Sequence, residues 1–420
     1  MPPVDQPSTN AEVELAARES YGRLLAWLTS RCGSITTAED ALADALAEAV
    51  RRWPESGVPG NTEAWLLTVA RRRLVDEQRR QGRHADAETK LRTAEKIRLT
   101  IAATEAAESP LGSGLPERRL ELLFTCAHPD IPSAMRTPLM LQTVLGLTAE
   151  QIGSAMLVAP STIGQRLVRV KRRILEDGIP FEIPPDGQLA ARIDHVLDAV
   201  YAAYGIGYDD ADDATGAAAG LAGEAIWLAG LLVQLLPDHA EPKGLYALLC
   251  LSEARRPARR DAEGRFVPLE EQDTDRWDTR LIESGEIALW RAAEHGQSGR
   301  FQIEASIQSM HAHRARTGTI DWVAISKAYH LLMHTYPTLG AAIGYAASLG
   351  RTGELAAGID VLDGIEDARV ERHQPYWAVR AWLLAECGRA DAARAAYDRA
   401  IGLTADDAVR DWLLTRRPPG

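Results

Sequence analysis

The sequence predicts an all-α protein: two small helical domains, the second a helix-turn-helix, and a C-terminal helical, tetratricopeptide-like extension. Alanine, leucine and arginine dominate the composition, and these residues favour helix. No segment alternates apolar and polar residues over the length of a strand. Because 420 residues exceed what one hydrophobic core usually supports, several domains are expected.

The composition excludes several classes of protein. The four cysteines form no CxxC pair, which argues against a disulfide framework or a zinc ribbon and fits a reducing cytoplasm. The N-terminus lacks the basic and apolar blocks of a signal peptide, and no apolar run reaches membrane-spanning length. We therefore expect a cytoplasmic protein with no membrane partner, no metal and no cofactor.

Helix breakers and composition divide the chain into four parts. Residues 11–84 are helical and end in an arginine-rich stretch, and residues 85–116 form a polar linker that ends in Pro and Gly. Residues 117–184 form a second compact helical unit. Residues 188–416 form the long helical extension.

An acidic helix is expected between Thr36 and Trp53. Its buried stripe consists of Leu42, Leu46, Ala49 and Val50. Its acidic face carries Glu39, Asp40, Asp44 and Glu48. A solvated surface and a docking surface explain this face equally well at this stage.

A basic helix follows, with Asn61 as its N-cap. Leu66, Val69, Ala70 and Leu74 are expected to pack inward, and we assign Trp65 to the core. The polar residues that can reach a DNA backbone or unstacked bases are Asn61, Arg72, Arg73, Arg79 and Arg80. Such a surface suits melted, single-stranded DNA. The net charge of −12 does not exclude this, because screening over about 8–10 Å makes a local patch matter more than the total.

The second unit contains a helix-turn-helix signature. Thr148 and Gln151 form a capping box at the start of one helix, residues 157–160 form the turn, and Ser161 caps a second helix over residues 162–175. The inward face of that helix carries Ile163, Leu167, Val170 and Ile174. The outward face carries Gln165, Arg166, Arg169, Lys171, Arg172 and Arg173. Ser161 and Thr162, at the start of the helix, are further candidates for DNA contact. This face suits a DNA major groove, where arginine and glutamine read base edges and other cations bind phosphates; the alternative is a solvated surface helix.

The C-terminal region fits a tetratricopeptide pattern of large and small residues. The positions that fit are Trp377, Ala381, Leu384, Gly388, Ala393, Tyr397 and Ala400. Repeats of this kind stack and usually form a protein-binding groove. A plain helical bundle is the alternative.

The order of these parts resembles the extracytoplasmic-function subfamily of the sigma-70 RNA polymerase sigma factors over about residues 11–178. The strings that carry the resemblance are Asn61-Thr62-Glu63-Ala64-Trp65-Leu66, Ala70-Arg71-Arg72-Arg73 and Asp76-Glu77-Gln78-Arg79-Arg80. The resemblance implies that Asp40, Asp44 and Glu48 dock on the clamp of core RNA polymerase. It also implies that the basic helix binds and melts the minus-ten element, and that the helix from Ser161 to Arg173 reads the minus-thirty-five element.

Beyond residue 117 the chain resembles one subgroup, whose members carry a helical extension with tetratricopeptide-like repeats. The strings that match include Phe124-Thr125-Cys126-Ala127-His128-Pro129 and Glu271-Gln272-Asp273-Thr274-Asp275-Arg276-Trp277-Asp278. Ala127 stands where the subgroup usually has a second cysteine, and Gly205-Ile206-Gly207-Tyr208 stands where it tends to have Asn-Glu-Gly-Tyr.

The resemblance implies a protein that catalyses no reaction and directs core RNA polymerase to promoter DNA. It is expected in the cytoplasm, at the nucleoid, with a protein or ligand partner for the extension that regulates it. The alternative is a helix-turn-helix regulator or a helical-repeat scaffold that does not bind core polymerase.

Overall fold

The computed structural model describes residues 9–84, 115–156, 158–209, 217–296 and 298–419. Within these ranges the regular structure is helical and includes no strand, which confirms the predicted all-α class. The chain divides into two compact units, with the division near Gly207 and Ala222. The predicted linker over residues 85–116 falls almost entirely outside the described ranges.

The described residues of the first unit form eight helices. They are α1 (Thr9–Cys32), α2 (Ile35–Ser56), α3 (Thr62–His84), α4 (Leu115–Cys126), α5 (Ser133–Thr143), α6 (Ala149–Met156), α7 (Pro160–Glu176) and α8 (Asp186–Asp209). Helices α1 to α3 pack against one another, and α1 also contacts α4 and α5.

The core of α1 to α3 is closed by the fully buried Trp53, whose ring lies edge-on to that of Trp65 at 5.4 Å. Trp65 is partly buried and packs against this core, as expected. The expected burial of Val50 is wrong, since its side chain is 48% exposed. The buried face of α2 runs instead through Ala45, Ala49 and Trp53, which are spaced four residues apart and share one side of the helix.

The helix-turn-helix is formed by α6 and α7. The capping box is present: the Thr148 N–H donates to Gln151 Oε1 at 2.9 Å, and the Gln151 N–H donates to Thr148 Oγ1 at 3.2 Å. The expectation that Ser161 caps the second helix is wrong, because α7 begins at Pro160 with Ala159 in the N-cap position. Proline is favoured at the first helical position, since its fixed φ suits the helix and its missing N–H needs no acceptor there.

Helix α8 belongs with the first unit as far as Gly207. The buried Arg192 donates from Nη1 to the carbonyl oxygen of Phe124 at 3.4 Å and from Nη2 to Oε1 of Gln188 at 2.8 Å. The bond to Phe124 ties α8 to α4. The first compact unit therefore continues beyond residue 184.

The second unit contains eleven α-helices in the described residues. They are α9 (Ala217–Leu235), α10 (Ala240–Glu253), α11 (Thr279–Ala293), α12 (Arg300–Ala312), α13 (Arg314–Thr317), α14 (Trp322–Thr335), α15 (Leu339–Arg351), α16 (Leu355–Asp363), α17 (Gln374–Glu386), α18 (Ala390–Leu403) and α19 (Asp407–Arg416). Helix α10 packs closely on α11 and α12, and each helix from α14 to α18 packs on the next.

A carboxylate fixes the start of α12 against α10. Glu241 accepts hydrogen bonds from the N–H groups of Phe301 and Gln302, at 2.9 and 3.3 Å, where the helix has no intrahelical acceptor for them. The close approach requires glycine, since a Cβ on Gly244 would lie 2.7 Å from the backbone nitrogen of Gln302.

The C-terminal helices pair as antiparallel hairpins. Helices α17 and α18 are joined through Gly388, whose φ of 72° is a left-handed conformation that favours glycine. Residues singled out by their repeat spacing are buried together in one cluster: Ala381, Leu384, Ala393, Tyr397 and Ala400. Their assignment to tetratricopeptide repeats stays a prediction.

Candidate nucleic-acid interface

The basic helix α3 begins as expected at its cap. Asn61 Oδ1 accepts a hydrogen bond from the Ala64 N–H at 2.9 Å, and Asn61 itself is exposed. Arg72 and Arg73 are exposed on the helix that follows. Arg79 and Arg80 lie within α3, but their side chains fall outside the described residues.

The three consecutive arginines of α3 do not share one environment. Arg71 is half-buried, with its guanidinium 4.7 Å from the ring centre of Trp27, and burial lowers its pKa. The guanidinium of Arg31 lies 5.1 Å from the centre of the same ring, so two cations contact one indole. Arg71 thus joins α3 to α1, and the solvent-facing charge comes from Arg72 and Arg73.

The acidic face of α2 lies beside these arginines. Asp40 and Asp44 are exposed, whereas the side chain of Glu48 is 14% exposed. Glu48 forms ion pairs with Arg51 and with Arg52, the latter at 2.5 Å, and Arg73 lies 4.0 Å away. Asp44 lies 3.8 Å from Arg73. Glu48 therefore forms ion pairs within the first unit. Asp40 and Asp44 are the acids of this face that are exposed to a partner.

The recognition helix α7 presents a polar face to solvent. Gln165, Arg166 and Arg169 are exposed, and within the described residues neither arginine forms an ion pair. Ser161 is also exposed, and Thr162 is half-buried. One turn further on, Arg173 pairs with Asp177 at 2.9 Å, and Arg172 lies 3.8 Å from Glu176. The free positive charge is therefore concentrated near the middle of the helix.

Lys171 is not on that outward face, and its predicted position there is wrong. It is 8% exposed and donates from Nζ to Oε1 of Glu39 on α2, whose side chain is 20% exposed. Tyr21 also hydrogen-bonds to Glu39, and burial together with that carboxylate raises the Tyr21 pKa. The register of α7 turns Lys171 toward the apolar face, where Val170 and Ile174 are buried.

A close backbone approach accompanies this ion pair. A Cβ on Gly22 of α1 would lie 1.8 Å from the carbonyl oxygen of Val144, at the end of α5. Gly146, with φ of 69°, lies against the ring of Tyr21. The basic helix and the recognition helix thus belong to two modules packed together within the first unit. Sequence reasoning missed this contact because Lys171 and Glu39 are 132 residues apart and neither is unusual for its helix.

Cys126 and His128 each have a hydrogen-bond partner within the first unit. The Cys126 thiol is buried with Thr143 Oγ1 at 3.4 Å, and burial raises its pKa to about 12. His128 Nδ1 accepts from the Asp130 N–H at 3.2 Å. Over the residues that the structure describes, no group of three potential ligands forms a candidate metal site. No helix in the same residues has the length and apolar character to span a membrane.

Comparisons with known proteins match two segments of the chain and one relative over most of its length. Residues 17–84 match the family described as sigma-70 region 2, and residues 192–293 match a family of unknown function, DUF6596. The chain is 33% identical over 389 residues to the uncharacterized protein R00370 of Rhizobium meliloti (strain 1021), covering 92% of this chain and 90% of that protein. No solved structure matches.

Proposed function

The chain belongs to the same family as the Rhizobium meliloti protein and carries sigma-70 region 2, and on this premise we propose that it is an RNA polymerase sigma factor of the extracytoplasmic-function type. It binds core polymerase and directs it to a set of promoters, acting in the cytoplasm by binding and without catalysis. The observation that carries the proposal is the pairing of region 2 with a helix-turn-helix whose Arg166 and Arg169 are exposed and unpaired within the described residues.

Two cationic faces have separate roles in this proposal. On α3, Asn61, Arg72 and Arg73 bind the melted minus-ten element, together with Arg79 and Arg80. On α7, the residues that read the minus-thirty-five element are Ser161, Thr162, Gln165, Arg166 and Arg169, with Arg172 and Arg173 near the phosphates. Lys171 is not among the proposed DNA contacts, because it is buried and forms an ion pair with Glu39.

Core polymerase docks on the acidic face of α2 in this proposal. The Asp40→Ala/Asp44→Ala variant should bind core RNA polymerase about 2 kcal/mol more weakly, roughly 30-fold, because two charge-assisted contacts are lost. Fluorescence anisotropy with purified core enzyme measures this, and run-off transcription should fall in parallel. Glu150→Ala, which removes an exposed acid on α6, is the matched control. Equal affinity of both variants would mean that core polymerase docks on another face. No binding by the wild-type chain would favour the helix-turn-helix regulator instead.

Promoter recognition is tested on α7. Arg166→Ala and Arg169→Ala should each weaken binding of the polymerase complex to a promoter selected from random DNA by about 1–3 kcal/mol. Arg172→Ala should have a smaller effect, because its guanidinium already lies 3.8 Å from Glu176. The affinities are measured over a salt series, since phosphate contacts contribute a term that falls with salt. If Arg172→Ala matches the other two, α7 contacts the backbone without reading bases.

The extension regulates the factor in this proposal, through a partner that binds its tetratricopeptide-like hairpins. The burial of Ala381, Leu384 and Tyr397 between α17 and α18 supports the repeat assignment. A chain ending at Asp209 retains α8 and its bond to α4, so it is a better truncation than one ending at residue 187. Run-off transcription by this shortened chain that equals that of the full chain would contradict regulation by the extension.

A further inference from the structure

Arg255 is a buried cation for which the described residues supply no anionic partner. It lies directly after α10 and is 6% exposed. Its Nη2 donates to Oε1 of Gln308 on α12, which is a neutral group. Its Nη1 is buried without a hydrogen-bond partner in the described part of the chain. Burying a charge is costly unless it is paired, so this guanidinium requires a further acceptor.

His311, whose ring is influenced by the charge of Arg255, has a second buried polar atom without a hydrogen-bond partner in the described residues. It is 6% exposed, and its Nδ1 has no hydrogen-bond partner among the residues that the structure describes. It follows Gln308 by three residues on α12, which places both on one face of the helix. Burial and the nearby charges of Arg255 and Arg314 lower the His311 pKa to about 3, so its imidazole is neutral at neutral pH.

Arg314 adds a second guanidinium to the cluster. It donates to the carbonyl oxygens of Glu270 and Gln272, and it lies 5.1 Å from the ring centre of Trp277. Burial lowers its pKa; Glu270 opposes that shift, and Arg255 adds to it. Two cations therefore share a region in which no described carboxylate forms an ion pair with either.

The neighbouring carboxylates already have other partners. Glu270 pairs with Arg351 at 2.8 Å, and Glu304 pairs with Arg300 at 2.8 Å. Glu253 pairs with Arg256 at 2.6 Å. Within the described residues none of them forms an ion pair with Arg255.

We propose that Arg255, His311 and Arg314 form a binding site for a small oxyanion, which is a carboxylate or phosphate group of a small molecule. Guanidinium groups match the geometry of such oxygens, and the imidazole N–H supplies a further donor. The ring of Trp322, 5.4 Å from that of His311, supplies an apolar wall. The site lies in the second unit and does not depend on polymerase binding.

Isothermal titration of the full chain with inorganic phosphate and with acetate, in sodium chloride at matched ionic strength, tests the proposal. Saturable binding of at least one probe is expected, and the preferred probe distinguishes a phosphate from a carboxylate site. Arg255→Gln should weaken that binding by about 10- to 100-fold, because a charge-assisted hydrogen bond is lost. Arg316→Gln removes an exposed arginine that pairs with Glu286 nearby and should leave binding unchanged.

Two results would overturn the site. If neither probe binds the wild-type chain saturably, the buried groups are satisfied by solvent, and no anion site exists. If Arg255→Gln binds as tightly as the wild type, the anion sits elsewhere. Should Arg255→Gln fail to fold, Arg314→Gln takes its place with the same expected loss.

Discussion

Replacing Gly22 by alanine is expected to destabilise the first unit by about 3 kcal/mol, the upper end of what overpacking usually costs. A Cβ at this position would lie 1.8 Å from the carbonyl oxygen of Val144 and 2.8 Å from its carbonyl carbon. These are backbone atoms, so no side-chain rotation relieves the clash, and α1 must move away from the end of α5. Chemical denaturation followed by circular dichroism measures the change in the free energy of unfolding.

Gly164→Ala provides the matched control. Gly164 lies inside α7, and a Cβ there would meet nothing within 4 Å. Alanine is a better helix former than glycine, so this variant should be about 0.5–1 kcal/mol more stable than the wild type. Equal stability of Gly22→Ala and the wild type would mean that the two modules do not pack as closely as the structure indicates.

Replacing Lys171 by methionine is expected to destabilise the first unit by about 2–4 kcal/mol, because Glu39 then keeps a poorly solvated charge without its cation. The effect should lie below that of a fully buried pair, since Glu39 retains some contact with solvent. The double variant Lys171→Met/Glu39→Gln removes both charges and should recover most of the loss. Denaturation of the wild type, of Lys171→Met, of Glu39→Gln and of the double variant gives the coupling energy between the two residues.

Arg172→Met is the control for this cycle. Arg172 is the next residue of α7 but is exposed, so its replacement should change the free energy of unfolding by less than about 0.5 kcal/mol. Additive effects of Lys171→Met and Glu39→Gln would show that the pair contributes nothing to the packing of the two modules.

The local features of the interface were predictable from sequence because they depend on neighbouring residues. The cap at Asn61 and the reciprocal bonds of Thr148 and Gln151 are fixed within one helical turn, and both are present in the structure. The exposure of Arg166 and Arg169 follows in the same way from their spacing against the buried Leu167 and Val170.

The remaining features depend on distant parts of the chain. Lys171 lies near the edge of the apolar stripe of α7, and only the presence of Glu39 across the contact decides that it is buried. Arg71 and Arg72 are neighbouring arginines, but Arg71 is half-buried against Trp27 of α1 and Arg72 is exposed. The unpaired charge of Arg255 could not be predicted either, because a sequence does not show which acids are already paired.

In the proposed promoter complex, the ion pairs at the end of α7 would limit how much of a promoter this helix can contact. Glu176 and Asp177 offset the last two arginines, leaving Arg166 and Arg169 as its free cations within the described residues. These two are separated by about 4.5 Å along the helix axis, close to the spacing of about 3.4 Å between successive nucleotides. With only these two cations available, α7 would distinguish a motif of only a few base pairs in that complex. Discrimination among the many sites of a genome would then fall mainly on the melted strand.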